Sequence, residues 1–290
     1  MSEIRKAVIP AAGWGTRFLP ATKALPKEML PLVDKPLIQY IVEEATSSGI
    51  EQIIIITSSG KSAIEDHFDR SCELEYTLEQ KGEKRLLGEV RRIADLANIC
   101  FIRQREQLGL GHAILSAKEI VGDEPFAVFL PDDIFEAEVP LLKQMLEVYQ
   151  RHKGSVIAVW RVTEEATKRY GIIKPKQIAE RVYQVLDLVE KPEPEDAPSD
   201  LAILGRYILT PDIFEALRVT PPGKGNEIQL TDGLALLLKQ QAIYGYEFEG
   251  TYYDAGKTLG LLKASVAVAL RHPEIGADFR EYLKKLVTDL

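Results

Sequence analysis

Cysteine and histidine are scarce in this 290-residue chain, and neither is grouped. Cys72 and Cys100 form no close-spaced pair, and His67, His112, His152 and His272 are scattered, so no zinc-ligand spacing is legible. No segment approaches the ~20 uninterrupted apolar residues of a membrane span, and the N-terminus lacks a secretory signal's apolar region. An excess of basic charge is missing too. Asp and Glu number 44 against 36 Lys and Arg, a net charge of −8, which argues against coating nucleic acid through counterion release. Internal repeats and low-complexity tracts are absent. A reduced, soluble, cytoplasmic protein with neither nucleic acid nor membrane as partner is expected.

What the chain has is alternation. Near-continuous apolar runs at Ala7–Pro10, Gln52–Thr57, Ile99–Arg103, Phe126–Leu130 and Val156–Arg161 read as strands buried on both faces. Between them, 37–48, 86–97, 112–121 and 140–152 carry helical periodicity. Such βαβ alternation predicts an α/β fold, a mostly parallel mixed central sheet between two helical layers. Shorter strand-like pieces follow at 171–174, 182–189 and 201–209, with helices at 211–218, 229–241, 257–271 and 277–290. The acidic, proline-containing stretch 193–200 reads as an exposed connector. One domain over 1–290 is expected: an N-terminal part of about 1–135, a middle part of about 136–256 and C-terminal helices over 257–290. Phe279, Leu283, Leu286 and Leu290 give the last helix an apolar stripe that suits either a core or a partner.

The first strand runs into a glycine turn, Ala11-Ala12-Gly13-Trp14-Gly15-Thr16-Arg17. Glycine lets main-chain N–H groups approach an anion closely, and in α/β sheets ligands bind beyond the carboxyl ends of strands. Phe18 stands where a dinucleotide fingerprint needs its third glycine. Gly60-Lys61-Ser62 ends like a phosphate-binding P-loop, but Ile55 occupies the leading glycine position. Lys61 is therefore expected to begin an ordinary surface helix. After the turn, Arg17, Lys23 and Lys27 lie in a segment punctuated by Pro20, Pro26, Pro31 and Pro36, which predicts a stiff, extended cationic path suited to a triphosphate.

Other candidates sit at strand ends. Asp132 and Asp133 follow Leu130-Pro131, as oxygen ligands for a hard cation or as turn aspartates. Asp254 ends the segment Tyr252-Tyr253. Glu190-Lys191-Pro192 closes another strand, and a kink at the proline would turn both charges toward one pocket; an exposed ion pair is the alternative. Gln104 by itself is a polar residue after its strand, its amide able to donate and to accept, and His112 is expected to pack or cap its helix.

The glycine turn, together with Pro20-Ala21-Thr22-Lys23-Ala24-Leu25-Pro26-Lys27-Glu28-Met29-Leu30-Pro31, resembles the N-terminal signature of the sugar-nucleotidyltransferases. The similarity continues through Leu32–Pro36, Gly109–Ala113, Leu130–Asp133, Glu190–Pro192, Gly205–Tyr207 and Asn226–Asp232, spanning nearly the whole chain. The resemblance implies a Rossmann-like three-layer sandwich of the nucleotide-diphospho-sugar transferase type. It is nearest to the family's uridylyl-transferring members, implying UTP and glucose 1-phosphate as substrates, UDP-glucose and pyrophosphate as products, and Mg2+ as cofactor. It implies catalytic roles for Arg17, Lys27, Asp132 and Lys191. Nucleotide contacts would fall to Ala11, Ala12, Gly13, Gly15, Thr16, Arg17, Glu28, Gln104 and Gly109. Sugar-phosphate contacts would fall to Gly171, Glu190, Lys191 and Leu204, and metal ligation to Asp132 and Asp254. The family's habit of association implies a homodimer or homotetramer. No histidine triad is expected, because the attacking phosphate oxygen is already anionic and the site must chiefly align two polyanions. A dTTP-dependent relative is the rival within the class. A silent sugar-nucleotide sensor is disfavoured by the presence of Arg17, Asp132 and Lys191.

Overall fold

The apolar runs become the middle of the molecule. A computed structural model describes residues 4–288. Its strands are β1 (Lys6–Pro10), β2 (Pro31–Leu32), β3 (Lys35–Pro36), β4 (Gln52–Thr57), β5 (Asn98–Arg103), β6 (Phe126–Phe129) and β7 (Asp133–Glu136), then β8 (Ser155–Arg161), β9 (Gly171–Ala179), β10 (Val182–Glu190), β11 (Leu201–Leu209), β12 (Ile243–Glu247) and β13 (Thr251–Asp254). The helices are α1 (Leu37–Ser47), α2 (Ser62–Phe68), α3 (Cys72–Gln80), α4 (Lys84–Ala94), α5 (Leu110–Leu115), α6 (Lys118–Val121), α7 (Leu141–His152), α8 (Ile213–Val219), α9 (Leu230–Leu238), α10 (Thr258–Arg271) and α11 (Gly276–Thr288).

Nine strands form one sheet in the order β5-β4-β1-β6-β11-β8-β12-β10-β9. Pairs β5/β4, β4/β1, β1/β6 and β8/β12 are parallel, whereas β11 and β10 run against their neighbours. The expected α/β sandwich with a mostly parallel mixed sheet is what forms. Alternation along each strand divides the core. Ile53, Ile55, Ala7, Ile9 and Phe129 face α1 and α7 in one layer; Ile54, Ile56, Val8 and Val128 face α5, α8 and α9 in the other. Each fully buried isoleucine contributes roughly 1.5–3 kcal/mol of transfer free energy, which explains why these runs carry no polar alternation.

Several local expectations shift. The helix expected over 112–121 divides into α5 and α6. The proline-rich segment is not extended: prolines separate three single-turn 3₁₀ helices, Thr16–Phe18, Ala21–Lys23 and Lys27–Met29. Lys61 is not a surface residue. It is 7 % exposed, and its Nζ lies 2.8 Å from Glu28 Oε2, tying the start of α2 to the cationic loop. In the last helix Phe279 and Leu283 are half-buried, Leu286 is exposed, and Leu290 lies outside the described residues. No helix among the described residues is long and apolar enough to cross a membrane.

Candidate active site

The carboxyl ends of β1, β5 and β6 open into a cleft with two connected cavities, of about 730 and 570 Å3. The smaller is lined by Ala12, Gly13, Gly15, Thr16, Gln104 and Gly109. The larger brings together Arg17, Lys191 and Asp254, with Gly171, Glu190 and Leu204 along its wall. Lys27 and Asp132 border both. Two sequence candidates stand apart from these linings. Ala11 is fully buried and spends its N–H on Ile56 O at 2.8 Å, so it offers no donor to a phosphate. Glu28 is 1 % exposed beneath the loop, held by Lys61, with its Oε1 lacking a partner among the described residues. Burial works against both charges of that pair, raising the Glu28 pKa and lowering that of Lys61, and their mutual attraction offsets this only partly.

At Gly15 φ is +67°, and a Cβ there would stand 3.0 Å from Lys27 Cβ. Glycine thus lets the turn close onto the lysine. Gly13 is different, because a Cβ on it would meet nothing within 4 Å. Its space opens toward the cavity.

Lys27 Nζ donates to Asp132 Oδ2 at 2.7 Å. Burial disfavours both charges, but each offsets that penalty for the other, so the lysine pKa ends above and the aspartate pKa below its ordinary value. Asp254 arrives on β13, whose pairing with β7 sets it opposite Asp133. It is ion-paired to Lys257 and accepts from Tyr170 Oη at 3.4 Å. A Cβ on Gly256 would lie 2.6 Å from Asp132 Oδ2 and 3.2 Å from Asp254 Oδ1, so the two carboxylates converge on a space that only glycine leaves open. Among the described residues no group of three or more His, Cys, Asp or Glu forms a metal cage. Two hard oxygen donors with room beside them suit a cation that takes its other ligands from substrate and water.

Asp133, adjacent in sequence, has a structural task. Its Oδ2 accepts the Gly205 N–H at 2.7 Å and its Oδ1 accepts from Tyr252 Oη at 2.7 Å. Burial and the neighbouring Asp132 charge push its carboxyl up to about 7. A Cβ at position 205 would stand 2.2 Å from Asp133 Oδ2, which accounts for the glycine. Below it Arg206, fully buried, pairs with Glu44 at 2.7 Å and donates to the carbonyl oxygens of Leu130, Gly205 and Asp133. Its guanidinium lies between the rings of Phe129 and Phe135. One arginine therefore braces the loop carrying Asp132.

On the opposite wall the kink after β10 falls at Lys191 itself, whose φ is +46°, rather than at Pro192. Its N–H donates to Tyr170 O at 3.0 Å and its Nζ lies 2.8 Å from Glu190 Oε1. Both charges face the larger cavity. A Cβ on Gly171 would stand 2.8 Å from Thr231 Oγ1, so glycine permits β9 to touch the start of α9.

Sequence reasoning missed Tyr252, Arg206, Tyr170 and Lys257. Period two along β13 puts Tyr252 on the face of Asp254 and was a usable signal; nothing local marks Arg206, whose partner is 162 residues away.

A family model described as nucleotidyl transferase matches residues 6–270. A UTP–glucose-1-phosphate uridylyltransferase of Staphylococcus epidermidis is 54% identical over 286 residues, covering 99% of each chain. A UDP-glucose pyrophosphorylase solved in complex with UDP-glucose superposes with a TM-score of 0.84 at 47% identity, covering 93% of this chain and 100% of the other. A UTP-bound UGPase from Acinetobacter baumannii gives a TM-score of 0.91 at 42% identity, over 98% and 99%. A glycine turn that shares its cavity with Asp132, and a match that runs through every strand of the sheet, have one reading: the chain belongs to the nucleotidyl transferase family.

Proposed function

We propose that this protein transfers the uridylyl group of UTP to α-D-glucose 1-phosphate, giving UDP-glucose and pyrophosphate. The observation that carries this reading is the meeting of the two cavities at Lys27 and Asp132, with Asp254 converging on the same space beside Gly256. The smaller cavity takes the nucleoside, and the larger takes the sugar phosphate.

The sugar phosphate oxygen attacks the α-phosphorus in line. A new P–O bond forms as the bond to the β-phosphate oxygen breaks, and pyrophosphate leaves with the electron pair. Neither partner needs a proton removed, so no histidine is required. Arg17 and Lys27 hold the triphosphate and offset charge on the leaving group, while Lys191 orients the incoming phosphate and Glu190 accepts from sugar hydroxyls. Gly171 and Leu204 shape the sugar wall. Asp132 and Asp254 would hold Mg2+, which when bound neutralises phosphate charge. Gly13, Thr16, Gln104 and Gly109 bound the nucleoside.

Residues 1–290 are read as one working unit, supported by a sheet that runs unbroken through the nucleotide and sugar sides. Self-association is part of the proposal, supported by Leu259 and Leu262 of α10 being 64% and 59% exposed. A cytoplasmic location completes it. The test is pyrophosphate release from UTP or dTTP with glucose 1-phosphate and Mg2+. UTP is expected to be the better substrate and EDTA to abolish turnover; release from dTTP alone, or from neither, overturns the reading.

A further inference from the structure

Gln104 closes the base end of the smaller cavity at 6% exposure. Its Nε2 donates to Gly109 O at 3.2 Å and lies 2.9 Å from His112 Nδ1. A carbonyl oxygen can only accept, so the end of the amide facing Gly109 is the NH2. The same NH2 faces Nδ1, which must then accept, placing the imidazole proton on Nε2. Gly109 cannot yield: its φ is +100°, a Cβ there would stand 2.6 Å from Glu227 Cβ, and its carbonyl also receives the Ala113 N–H that starts α5. The amide therefore has a fixed polarity. Its Oε1 accepts no hydrogen bond among the described residues, yet it is not sealed away from the cavity.

We propose that His112 is a positioning residue that locks Gln104 with its carbonyl oxygen toward the base, so that the site admits a pyrimidine with an N–H donor on its pairing edge and rejects cytosine. This rests on the nucleotide-binding reading given above. Uracil and thymine carry N3–H, which Oε1 accepts. Cytosine carries an N3 lone pair in the same place, so two acceptors would face each other. Turning the amide to suit cytosine would set Oε1 against the Gly109 carbonyl and the His112 lone pair, giving up both hydrogen bonds that hold it. A histidine outside the chemistry thus becomes part of base selection.

The test is calorimetric binding of UTP and CTP to the intact protein, which needs no sugar substrate, alongside steady-state turnover. Wild type is expected to favour UTP strongly. In His112→Leu, one of the two acceptors holding the amide is gone, and the UTP-to-CTP affinity ratio is expected to fall roughly tenfold, with KM for UTP rising and kcat nearly unchanged. His112→Asn, whose Oδ1 can accept in place of Nδ1, is expected to restore most of the ratio. If the leucine variant fails to fold, His112→Ala gives the same reading. A ratio unchanged in His112→Leu, or not restored in His112→Asn, overturns the role of His112 while leaving the nucleotide site intact. Wild type binding neither nucleotide overturns the site reading, and this proposal with it. Preference for dTTP over UTP would sink the uridylyl assignment alone, because thymine presents the same edge.

Discussion

The two ends of the cleft are built from different materials. At the Gln104 end of the smaller cavity the hydrogen-bonded groups are an amide, an imidazole and main-chain atoms: Gln104, His112 and Gly109, with Glu227 packed against the glycine. In the larger cavity about half of the lining residues are charged, and several of the charges come paired, Lys27 with Asp132, Lys257 with Asp254, Lys191 with Glu190. The difference suits the ligands proposed for each end. A base edge is read by donor and acceptor pattern, which requires rigidity. Polyphosphates repel one another and demand compensating charge, which is costly to bury alone and is favoured when partnered.

The sharpest way to break this contrast is at the buried charge beneath the phosphate end. Arg206→Leu should strand the Glu44 carboxylate and take one donor from each of three carbonyl oxygens, lowering stability by about 3–5 kcal/mol in denaturant titration. A loss below about 1 kcal/mol would mean that the brace is dispensable. Next come the groups expected to touch substrate. Asp132→Asn and Lys191→Ala should each slow turnover by about 10²–10³-fold, with circular dichroism unchanged. Near-normal rates in either variant would remove its assigned role. At the Gln104 end, Gly109→Ala forces a Cβ against Glu227 and Ile228 at a φ of +100°, and should cost about 1–3 kcal/mol of stability. Smallest of all is Gly13→Ala, which meets nothing within 4 Å. It should leave the melting midpoint nearly unchanged while raising KM for the nucleotide, and an unaffected KM would show that the space beside Gly13 is not used.

Much of this was legible in the chain. Ile53–Ile56 could only be a strand covered on both faces, and the glycine turn after β1 could only lie at the carboxyl edge of the sheet. Tertiary partners were not legible. Lys61 follows a glycine in what reads as the start of a surface helix, and only folding brings Glu28 to it from 33 residues away. The aspartates 132 and 133 are adjacent in sequence and both border the larger cavity, yet Asp132 alone also borders the smaller one, while the Asp133 carboxylate is taken up by Gly205 and Tyr252. β12 escaped notice because Gly245 interrupts a run of only five residues, and its parallel pairing with β8 is set by distant packing.

Strand β11 carries a mechanical consequence. Running backwards between β6 and β8, it is hydrogen-bonded to both, and its bulge between Ile203 and Tyr207 presents Gly205 and Arg206 to the aspartate loop. A rigid-body hinge between the two sides would have to tear a continuous ladder. Any closing movement is thereby assigned to the peripheral segments, the 3₁₀ turns of 16–29 and the stretch 164–170, so solution scattering from the free and substrate-loaded protein should give nearly superimposable radii of gyration.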